Sequence, residues 1–382
     1  MRNMKRWMAV MLTAVMLSTA AGCGAQETSE DSAAQATEAP EQEAEDTQQD
    51  EAEAQEGTEV FTDSLGREVE LPAELTKVAP SGNLAQMIIY SLAPETMVGW
   101  SSDPGESMSA YFPDEYKDLP VFGTFYGKKA NLNKEALIEA DPQVIIDMGE
   151  IKGDMAADLD ALQEQLGIPV IFIKAELADS GEAYRTLGSL LGAEDAAEEL
   201  AAYCDETISE AGEKAASISE ENRVTVYYGG GEDGLSANPA DSSHGEVINL
   251  VGGKNVVETD FDSGANQANM EQLLLWNPDV VIFTEEGAYD TAMQDAAWNS
   301  LSAVQNGNVY EVPSIPYNWI DRPPAVNRIL GVKWMGNLLY PEVFDYDMVA
   351  EAQEFYKLFY RYDLSEDEAK ELMARSTFAD VQ

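Results

Sequence analysis

The stretch that decides the fold is Glu135-Ala-Leu-Ile-Glu-Ala-Asp-Pro142-Gln-Val-Ile-Ile146, which returns 136 residues later as Glu271-Gln-Leu-Leu-Leu-Trp-Asn-Pro278-Asp-Val-Val-Ile282. In each copy a glutamate opens a short helical segment, a proline stands seven residues later, and a run of Val and Ile follows. One such phrase is a generic helix–strand unit. Two copies of it predict two lobes that are built on the same plan.

Short apolar runs alternate with helical patterns on both sides of this repeat. Continuous apolar strands separated by helices indicate parallel sheets that are covered on both faces. We therefore predict an α/β fold of two lobes, each a mostly parallel sheet flanked by helices, joined by one long linking helix. The N-terminal lobe is placed at 59–178, the linking helix at 179–220 and the C-terminal lobe at 221–382. The predicted strands follow a hairpin at 59–72 and are 77–80, 96–100, 120–124, 143–147 and 169–173, then 224–228, 255–257, 280–283 and 308–312.

The linking helix is predicted from a stretch between Asp195 and about Ile218 that is rich in Ala, Glu, Leu and Lys and contains no proline. These residue types have high helix propensity, and about 24 residues at 1.5 Å per residue span roughly 36 Å. A stiff connection of that length favours a small rocking of the lobes over a large closing motion.

The first residues of the chain have the features of an export signal. Three basic residues precede an apolar run at 7–17, and small residues lead from there to Cys23. The apolar run is too short to serve as a membrane-spanning helix. We predict a removable signal peptide at 1–22. Because the Ala-Gly-Cys junction is similar to a lipobox, we predict Cys23 as the lipidation site.

Residues 24–59 form a segment of unusual composition. They are rich in Glu, Asp, Ala, Gln, Thr and Ser and include no basic and no aromatic side chain. Such a segment cannot bury enough apolar surface to offset the entropy of ordering, and its like charges repel one another. We predict a disordered acidic tether at 23–58, and an extracytoplasmic body that is lipid-anchored to the cell membrane.

Charge and rare residue types exclude several functions. The chain has 22 basic and 71 acidic residues, and its net charge of -49 would repel a nucleic-acid backbone. The chain has two cysteines, so lipidation of Cys23 leaves Cys204 without a disulfide partner and without the further cysteines that a Cys-type metal centre needs. It has one histidine, which excludes a metal centre with several histidine ligands. We expect a monomer with no cofactor, no resident metal and no nucleic-acid partner.

Several phrases of the body resemble the ABC-transporter solute-binding lipoproteins of the ferric-siderophore, heme and vitamin B12 type, the class III periplasmic binding proteins. The similarity extends from Val60 to the C-terminus, and it is carried by the order and spacing of the phrases. The matching phrases are Phe61-Thr-Asp-Ser-Leu-Gly-Arg-Glu-Val-Glu-Leu-Pro72, Asn133-Lys-Glu-Ala-Leu137 with Asp141-Pro-Gln-Val-Ile-Ile146, His244-Gly-Glu-Val-Ile248 with Gly252-Gly-Lys-Asn-Val256, Met270-Glu-Gln-Leu-Leu274 with Trp276-Asn-Pro-Asp-Val-Val281, and Asn318-Trp-Ile-Asp-Arg-Pro-Pro-Ala-Val-Asn-Arg328.

The resemblance implies a binding protein and not an enzyme. The implied function is the substrate-binding component of an importer for an iron(III)-siderophore, heme or corrinoid, with an ABC permease and its ATPase as partners. Glu135 and Glu271 correspond to the two surface glutamates, one per lobe, that meet arginines on the two permease subunits. Both residues also stand where a carboxylate stabilises the dipole of its own helix.

Ligands of open α/β sheets bind beyond the carboxyl ends of the strands. The loops that follow the predicted strands are rich in aromatic residues, which suit a flat or apolar ligand. They also carry Lys128, Lys129, Lys174 and Arg322, so a locally positive cleft would select an anionic ligand, unless these cations are solvated or paired with carboxylates. The candidate ligand-binding residues are Trp100, Tyr126, Lys174, Tyr228, His244, Tyr317, Trp319 and Arg322.

Two local features sharpen these candidates. His244 follows a Gly/Ser-rich loop and opens a predicted helix. A lone histidine more often caps or packs than binds metal, yet with a tyrosine opposite it could ligate the metal of heme or a corrinoid. Arg322 lies in Asp321-Arg-Pro-Pro324, a phrase typical of a helix start.

Other functions stay open from the sequence alone. The ligand could be another metal complex or an oxyanion, such as nickel–histidine or molybdate/tungstate. A surface sensor that works without a permease is a second alternative. A cell-surface hydrolase would need a nucleophile with a base, and the chain offers one histidine and no Gly-x-Ser-x-Gly elbow.

Overall fold

The computed structural model describes residues 57–105, 109–125, 130–258, 266–284 and 286–376. The predicted signal peptide, Cys23, all but the last two residues of the predicted tether, and Tyr126 lie outside the described residues. Within those ranges no helix is both long and apolar enough to cross a membrane.

The described chain begins with the predicted hairpin. Strands β1 (Thr58–Thr62) and β2 (Glu68–Pro72) pair antiparallel, which confirms that part of the prediction. Gly66 occupies the turn with φ of 78°, a left-handed conformation that glycine adopts without strain. The side chain of Asp63 accepts hydrogen bonds from the backbone N–H groups of Leu65 and Arg67 and fixes the turn.

The N-terminal lobe contains a parallel sheet of three strands. Their order across the sheet is β3 (Val78–Pro80), β4 (Val144–Gly149) and β5 (Val170–Lys174). The stretches 96–100 and 120–124, predicted as strands, contribute only single parallel bridges at Met97, Trp100 and Val121. Both bridges are parallel, as predicted for this sheet, but the two stretches do not form regular strands.

The C-terminal lobe contains a mixed sheet of five strands around β6 (Thr225–Gly230). On one side of β6 lie β9 (Val280–Phe283) and β10 (Val309–Glu311), both parallel. On its other side lie β7 (Ser236–Ala237), which is antiparallel, and β8 (Lys254–Asn255), which is parallel. The mostly parallel sheets of both lobes agree with the predicted fold class.

Helices cover both sheets and connect their strands. The helix predicted to start at Asp321 begins instead at Asn327, because residues 321–326 form an irregular segment of bends and a turn. The helices are α1 (Asn83–Leu92), α2 (Asp114–Lys117), α3 (Lys134–Ala140), α4 (Met155–Leu166), α5 (Ser180–Leu191), α6 (Glu194–Ala216), α7 (Glu246–Leu250), α8 (Met270–Trp276), α9 (Glu286–Gln294), α10 (Ser302–Gln305), α11 (Asn327–Leu339), α12 (Pro341–Phe344), α13 (Met348–Tyr360) and α14 (Glu366–Leu372).

The segment between the lobes contains two helices where one was predicted. Gly192 has φ of 63° and ends α5, and α6 starts two residues later. The 23 residues of α6 span about 35 Å at 1.5 Å per residue, close to the predicted length. The break occurs because a left-handed residue cannot continue a right-handed helix, and glycine is the residue that adopts it most readily.

Neighbouring residues of the central strands point into different layers, as the two-residue period of a strand requires. Ile146 of β4 and Ile282 of β9 both belong to one hydrophobic core, which we call the shared core because it contains residues of both lobes. Their neighbours Ile145 and Val281 pack into separate outer layers, one for each lobe. The two sheets are therefore joined by packed side chains as well as by the linking helices.

The C-terminal helices return to the N-terminal lobe. The hydroxyl of Tyr90 in α1 donates to the carbonyl of Tyr360 at 3.3 Å, and the guanidinium of Arg361 donates to the carbonyls of Ser91 and Leu92 at 3.3 and 3.0 Å. The two Arg361 bonds satisfy carbonyl groups at the end of α1, and the Tyr90 bond satisfies the carbonyl of Tyr360 at the end of α13. The range 221–382, predicted as the C-terminal lobe, thus includes a segment that packs on both lobes.

Candidate functional site

A cavity of about 150 Å³ lies between the lobes at the carboxyl ends of β4 and β5. From the N-terminal lobe it is lined by the residues that end or follow these strands, including Glu150 and Glu176, and from the C-terminal lobe by Ser243, Glu246 and Arg328. A second cavity, of about 770 Å³, lies at the carboxyl ends of β9 and β10 and includes Tyr111 of the N-terminal lobe. Both cavities occupy the position where open α/β sheets bind ligands, and we call this region the interlobe cleft.

A buried ion pair forms the C-terminal wall of the smaller cavity. Arg328 at the start of α11 is buried, and its guanidinium contacts the carboxylate of Glu246 in α7. Burial raises the pKa of Glu246 against the attraction of Arg328, and Glu176 and Glu150 raise it further from the opposite lobe. Burial likewise lowers the pKa of Arg328. Loss of solvent disfavours the charged form of each residue, and the opposite charge of its partner favours that form.

A buried carboxylate organises the neighbouring part of the cleft. The side chain of Asn318 accepts hydrogen bonds from the backbone N–H groups of Ile320 and Asp321, at 2.9 and 3.1 Å, and so sets the turn that places Asp321. The hydroxyl of Tyr228 in β6 donates to Asp321 Oδ1 at 2.7 Å. His244 Nδ1 lies 2.8 Å from Asp321 Oδ2. One carboxylate thus connects a strand end with the loop that carries the histidine.

Of the four cations predicted for the cleft, Lys128 and Lys129 lie outside the described residues, and Lys174 and Arg322 already have carboxylate neighbours. Lys174 Nζ lies 2.8 Å from Asp179 and 3.3 Å from Glu176, and hydrogen bonds to Asp179 and then to Glu176 raise the pKa of the lysine. Arg322 Nε lies 3.6 Å from Asp321. Together with the charged residues that line the smaller cavity, Glu150, Lys152, Glu246 and Arg328, these groups comprise five carboxylates and four cations. They therefore do not form the predicted positive cleft.

The four described aromatic candidates lie in the core. Trp100 donates through Nε1 to the carbonyl of Tyr116 at 2.8 Å, and Trp319 and Tyr228 are fully buried. Tyr317 is also buried, and desolvation raises its pKa to about 12. A side chain at the end of a strand can point toward the core or toward the cleft, and all four of these side chains pack in the shared core. Because these rings are buried, a ligand cannot stack on them in this structure, contrary to the expectation from the sequence.

Tyr317 has a different contact, which crosses between the lobes. Its hydroxyl accepts a hydrogen bond from Gln86 Nε2 of α1 at 2.9 Å. Gln86 Oε1 in turn accepts from the backbone N–H groups of Ser101 and Ser102, at 2.9 and 3.1 Å. One buried amide therefore ties α1 and the loop after Trp100 to the 317–322 segment of the other lobe.

The family follows from comparison with known proteins. Residues 105–316, more than half of the chain, match the model of the periplasmic binding proteins. The chain belongs to the periplasmic binding protein family. It is accordingly an extracytoplasmic substrate-binding component of the ABC-transporter class and not an enzyme.

Individual relatives agree with this membership. The chain is 25% identical over 353 residues to the uncharacterized ABC transporter substrate-binding lipoprotein YvrC of Bacillus subtilis, which covers 88% of this chain and 97% of that protein. It is 25% identical over 215 residues to the high-affinity heme uptake system protein IsdE of Staphylococcus aureus, covering 54% of this chain and 70% of IsdE. An ABC transporter solute binding protein of Sulfurospirillum deleyianum superposes with a TM-score of 0.76 at 29% identity, over 82% of this chain and 99% of that one.

Two matched helices of this family member stand outside the cleft, one in each lobe. Asn133 caps α3 by accepting from the N–H of Ala136, and Asn269 caps α8 by accepting from the N–H of Gln272. Both helices have seven residues and end at a left-handed residue, Asp141 or Asn277. Glu135 and Glu271 occupy the first turn of each, and both side chains are exposed.

Sequence reasoning missed Asp321, Glu246, Arg328 and Gln86. Glu246 and Arg328 stand inside phrases that were quoted for the family resemblance, but nothing in their spacing shows that they meet. Asp321 gave a weak signal, because a carboxylate directly after the apolar Ile320 and inside a proline-bounded turn is placed for burial. Gln86 lies within an apolar helix, and a lone amide in such a helix usually has a buried partner.

Proposed function

We propose that this chain delivers a small metal chelate, of the iron–siderophore, heme or corrinoid type, to an ABC permease, and that the chelate binds in the interlobe cleft. Lipidation at Cys23 would hold a monomeric body near the permease. The name of YvrC, a substrate-binding lipoprotein, and the heme uptake function in the name of IsdE support this proposal.

The observation that carries the ligand class is the contact between His244 and Asp321. The imidazole side chain is 38% exposed, whereas the carboxylate is buried. The two atoms are close but are not aligned for a hydrogen bond in this structure. A negative charge beside Nδ1 favours a proton on that nitrogen, which leaves the lone pair of Nε2 for a metal. Among the described residues no three His, Cys, Asp or Glu side chains form a metal cluster. A metal with most of its ligands supplied by a chelator needs only the one donor that His244 provides.

The ligand test compares the wild-type chain with His244→Ala and with Asp241→Ala as the control, an exposed position of the same loop that does not line the cleft. Each is titrated with hemin, aquocobalamin, a ferric siderophore, nickel–histidine and molybdate, followed by thermal unfolding and visible absorption. A ligand at a hundred times its dissociation constant adds about 2.7 kcal/mol to stability. We expect one chelate to stabilise the wild type and the control, with a spectral change that His244→Ala loses together with at least about tenfold in affinity.

The other outcomes of this titration are equally informative. Equal affinity and equal spectra in His244→Ala would show that the histidine does not bind the metal. Stabilisation by molybdate alone would favour the oxyanion alternative. No stabilisation by any compound of the panel would contradict the proposed ligand class.

Docking to the permease is the second part of the proposal. Glu135 and Glu271 are exposed at equivalent positions of α3 and α8, and matched charges on two related lobes suit a partner with two-fold symmetry. Charges at the rim of an interface mainly speed encounter and set register. A cation on each half of the permease would complement them.

The docking test reverses both charges in the double variant Glu135→Arg, Glu271→Arg. Like-charge repulsion should abolish uptake in cells, while the purified variant keeps the ligand affinity of the wild type. The control is Glu199→Arg, Glu213→Arg, which makes the same charge change at exposed positions of α6. Wild-type uptake by the docking variant would contradict a transport role through these residues and would favour a sensor that works without a permease.

A further inference from the structure

The two helices that carry Glu135 and Glu271 also expose large aliphatic side chains. Ile138 on α3 is 62% exposed, and Leu274 and Leu275 on α8 are 46% and 83% exposed. Eight large hydrophobic residues of the described ranges are exposed, and three of them lie on these two short helices. The exposure is therefore concentrated there and is not spread evenly over the surface.

The aliphatic residues share a face with the glutamates. Ile138 and Leu274 each stand three residues after the glutamate of their helix, and Leu275 stands four residues after Glu271. Residues three and four apart are neighbours on a helix surface. The opposite side of each helix is anchored by a fully buried leucine, Leu137 or Leu273, so the exposure does not come from loose packing.

We propose that α3 and α8 form a two-part docking surface in which each glutamate is flanked by an apolar contact, and that its partner is a membrane permease whose two halves each present a cation beside an aliphatic patch. This inference rests on the proposed function and adds to it the source of affinity. The glutamates would guide encounter, and desolvation of the aliphatic side chains would slow dissociation.

Charge and symmetry select this partner over two others. A second copy of the chain would bring a glutamate against a glutamate if the same patch met itself, and like charges at an interface oppose association. A membrane surface with anionic lipids would repel the same carboxylates. A partner with two similar halves matches the repetition of one helix pattern in two lobes.

The two patches are not identical. The position that is Leu275 in α8 is Glu139 in α3, and both side chains are exposed. The C-terminal patch therefore has two aliphatic residues beside its glutamate, whereas the N-terminal patch has one. We expect the C-terminal patch to contribute more to affinity.

The experiment measures the affinity of the full-length chain for its permease in lipid nanodiscs, at low and at high salt. The test variant is Ile138→Ser, Leu274→Ser, Leu275→Ser, and the control is Val60→Ser on the hairpin, which removes an aliphatic side chain that is 67% exposed. We expect at least tenfold weaker binding for the test variant and no change for the control. Leu274→Ser, Leu275→Ser should account for most of the loss.

Salt separates the apolar contribution from the charged one. Screening weakens exposed charge pairs, so salt should weaken wild type and serine variant by the same factor. The variant Glu135→Gln, Glu271→Gln should instead lose most of the salt dependence. Unchanged affinity of the serine variant, with a wild type that binds, would overturn this inference alone. A wild type that does not bind the permease would overturn the proposed function, and this inference with it.

Discussion

His244 and Trp319 are both close to Asp321, one in space and one in sequence, but burial gives them different roles. Trp319 is fully buried, and its backbone N–H donates to the carbonyl of Pro313 at 3.0 Å. His244 and Arg322 keep 38% and 45% of their side chains exposed while sharing the same buried carboxylate. The two polar side chains are therefore accessible from solvent, whereas the aromatic residue is inaccessible and supports the turn that holds Asp321.

Helix α11 supports this turn through a close backbone approach at Gly331. A Cβ atom at this position would overlap the carbonyl oxygen of Trp319. We expect Gly331→Ala to lower the free energy of unfolding by about 1–3 kcal/mol, because overpacking must shift the helix or the turn. Chemical denaturation of the variant and the wild type measures this difference.

The matched control is Gly212→Ala in α6. No atom lies within 4 Å of a Cβ built on Gly212, so alanine meets no obstacle there and should raise stability by about 0.5–1 kcal/mol through its higher helix propensity. The same substitution in two helices should therefore have opposite signs. A stabilising Gly331→Ala would show that the turn around Trp319 does not need the close approach.

At the scale of the elements, the sequence predicts the repeated unit best. The phrase around Pro142 and its copy around Pro278 become α3 with β4 and α8 with β9, with equivalent helix bounds. This success has a local cause: a capping asparagine begins each helix and a proline follows its left-handed last position. Similar short-range signals set the hairpin and most of the strands, but the predicted strands at 96–100 and 120–124 form only isolated bridges.

The candidate site was harder to predict because it depends on contacts between distant residues. Nothing in the sequence shows that Tyr228, His244 and Asp321 meet, since 93 residues separate the tyrosine from the aspartate. Aromatic residues at strand ends were taken as ligand contacts, but a loop pattern does not show which way a side chain turns. The break at Gly192 was missed for a similar reason, because composition alone does not reveal a left-handed residue.

At the scale of the whole molecule, the shared core makes the two lobes mechanically dependent. Residues of both sheets, of α1, of α6 and of α13 belong to this one core. The bond from Gln86 to Tyr317 and the bonds from Arg361 to the end of α1 add polar links between the lobes. Movement of one lobe against the other must keep these contacts, which favours a small rocking that adjusts the cleft.

The same dependence predicts a single cooperative unfolding transition. Ile146 in β4 and Ile282 in β9 occupy equivalent positions of the two repeats, and both are fully buried in the shared core. Truncating either to alanine should cost about 2–5 kcal/mol through lost burial and a residual cavity.

Because both sheets pack on one core, Ile146→Ala and Ile282→Ala should each lower the midpoint of the whole calorimetric transition of the full-length chain and leave it as one peak. Lobes that were independent domains would respond differently: Ile146→Ala would move an N-terminal transition and Ile282→Ala a C-terminal one, and the thermogram of each variant would split into two peaks. Splitting would contradict the shared core as the source of coupling and would allow wide closure about α5 and α6. A single shifted peak for both variants would mean that a ligand bound in the cleft stabilises both lobes together.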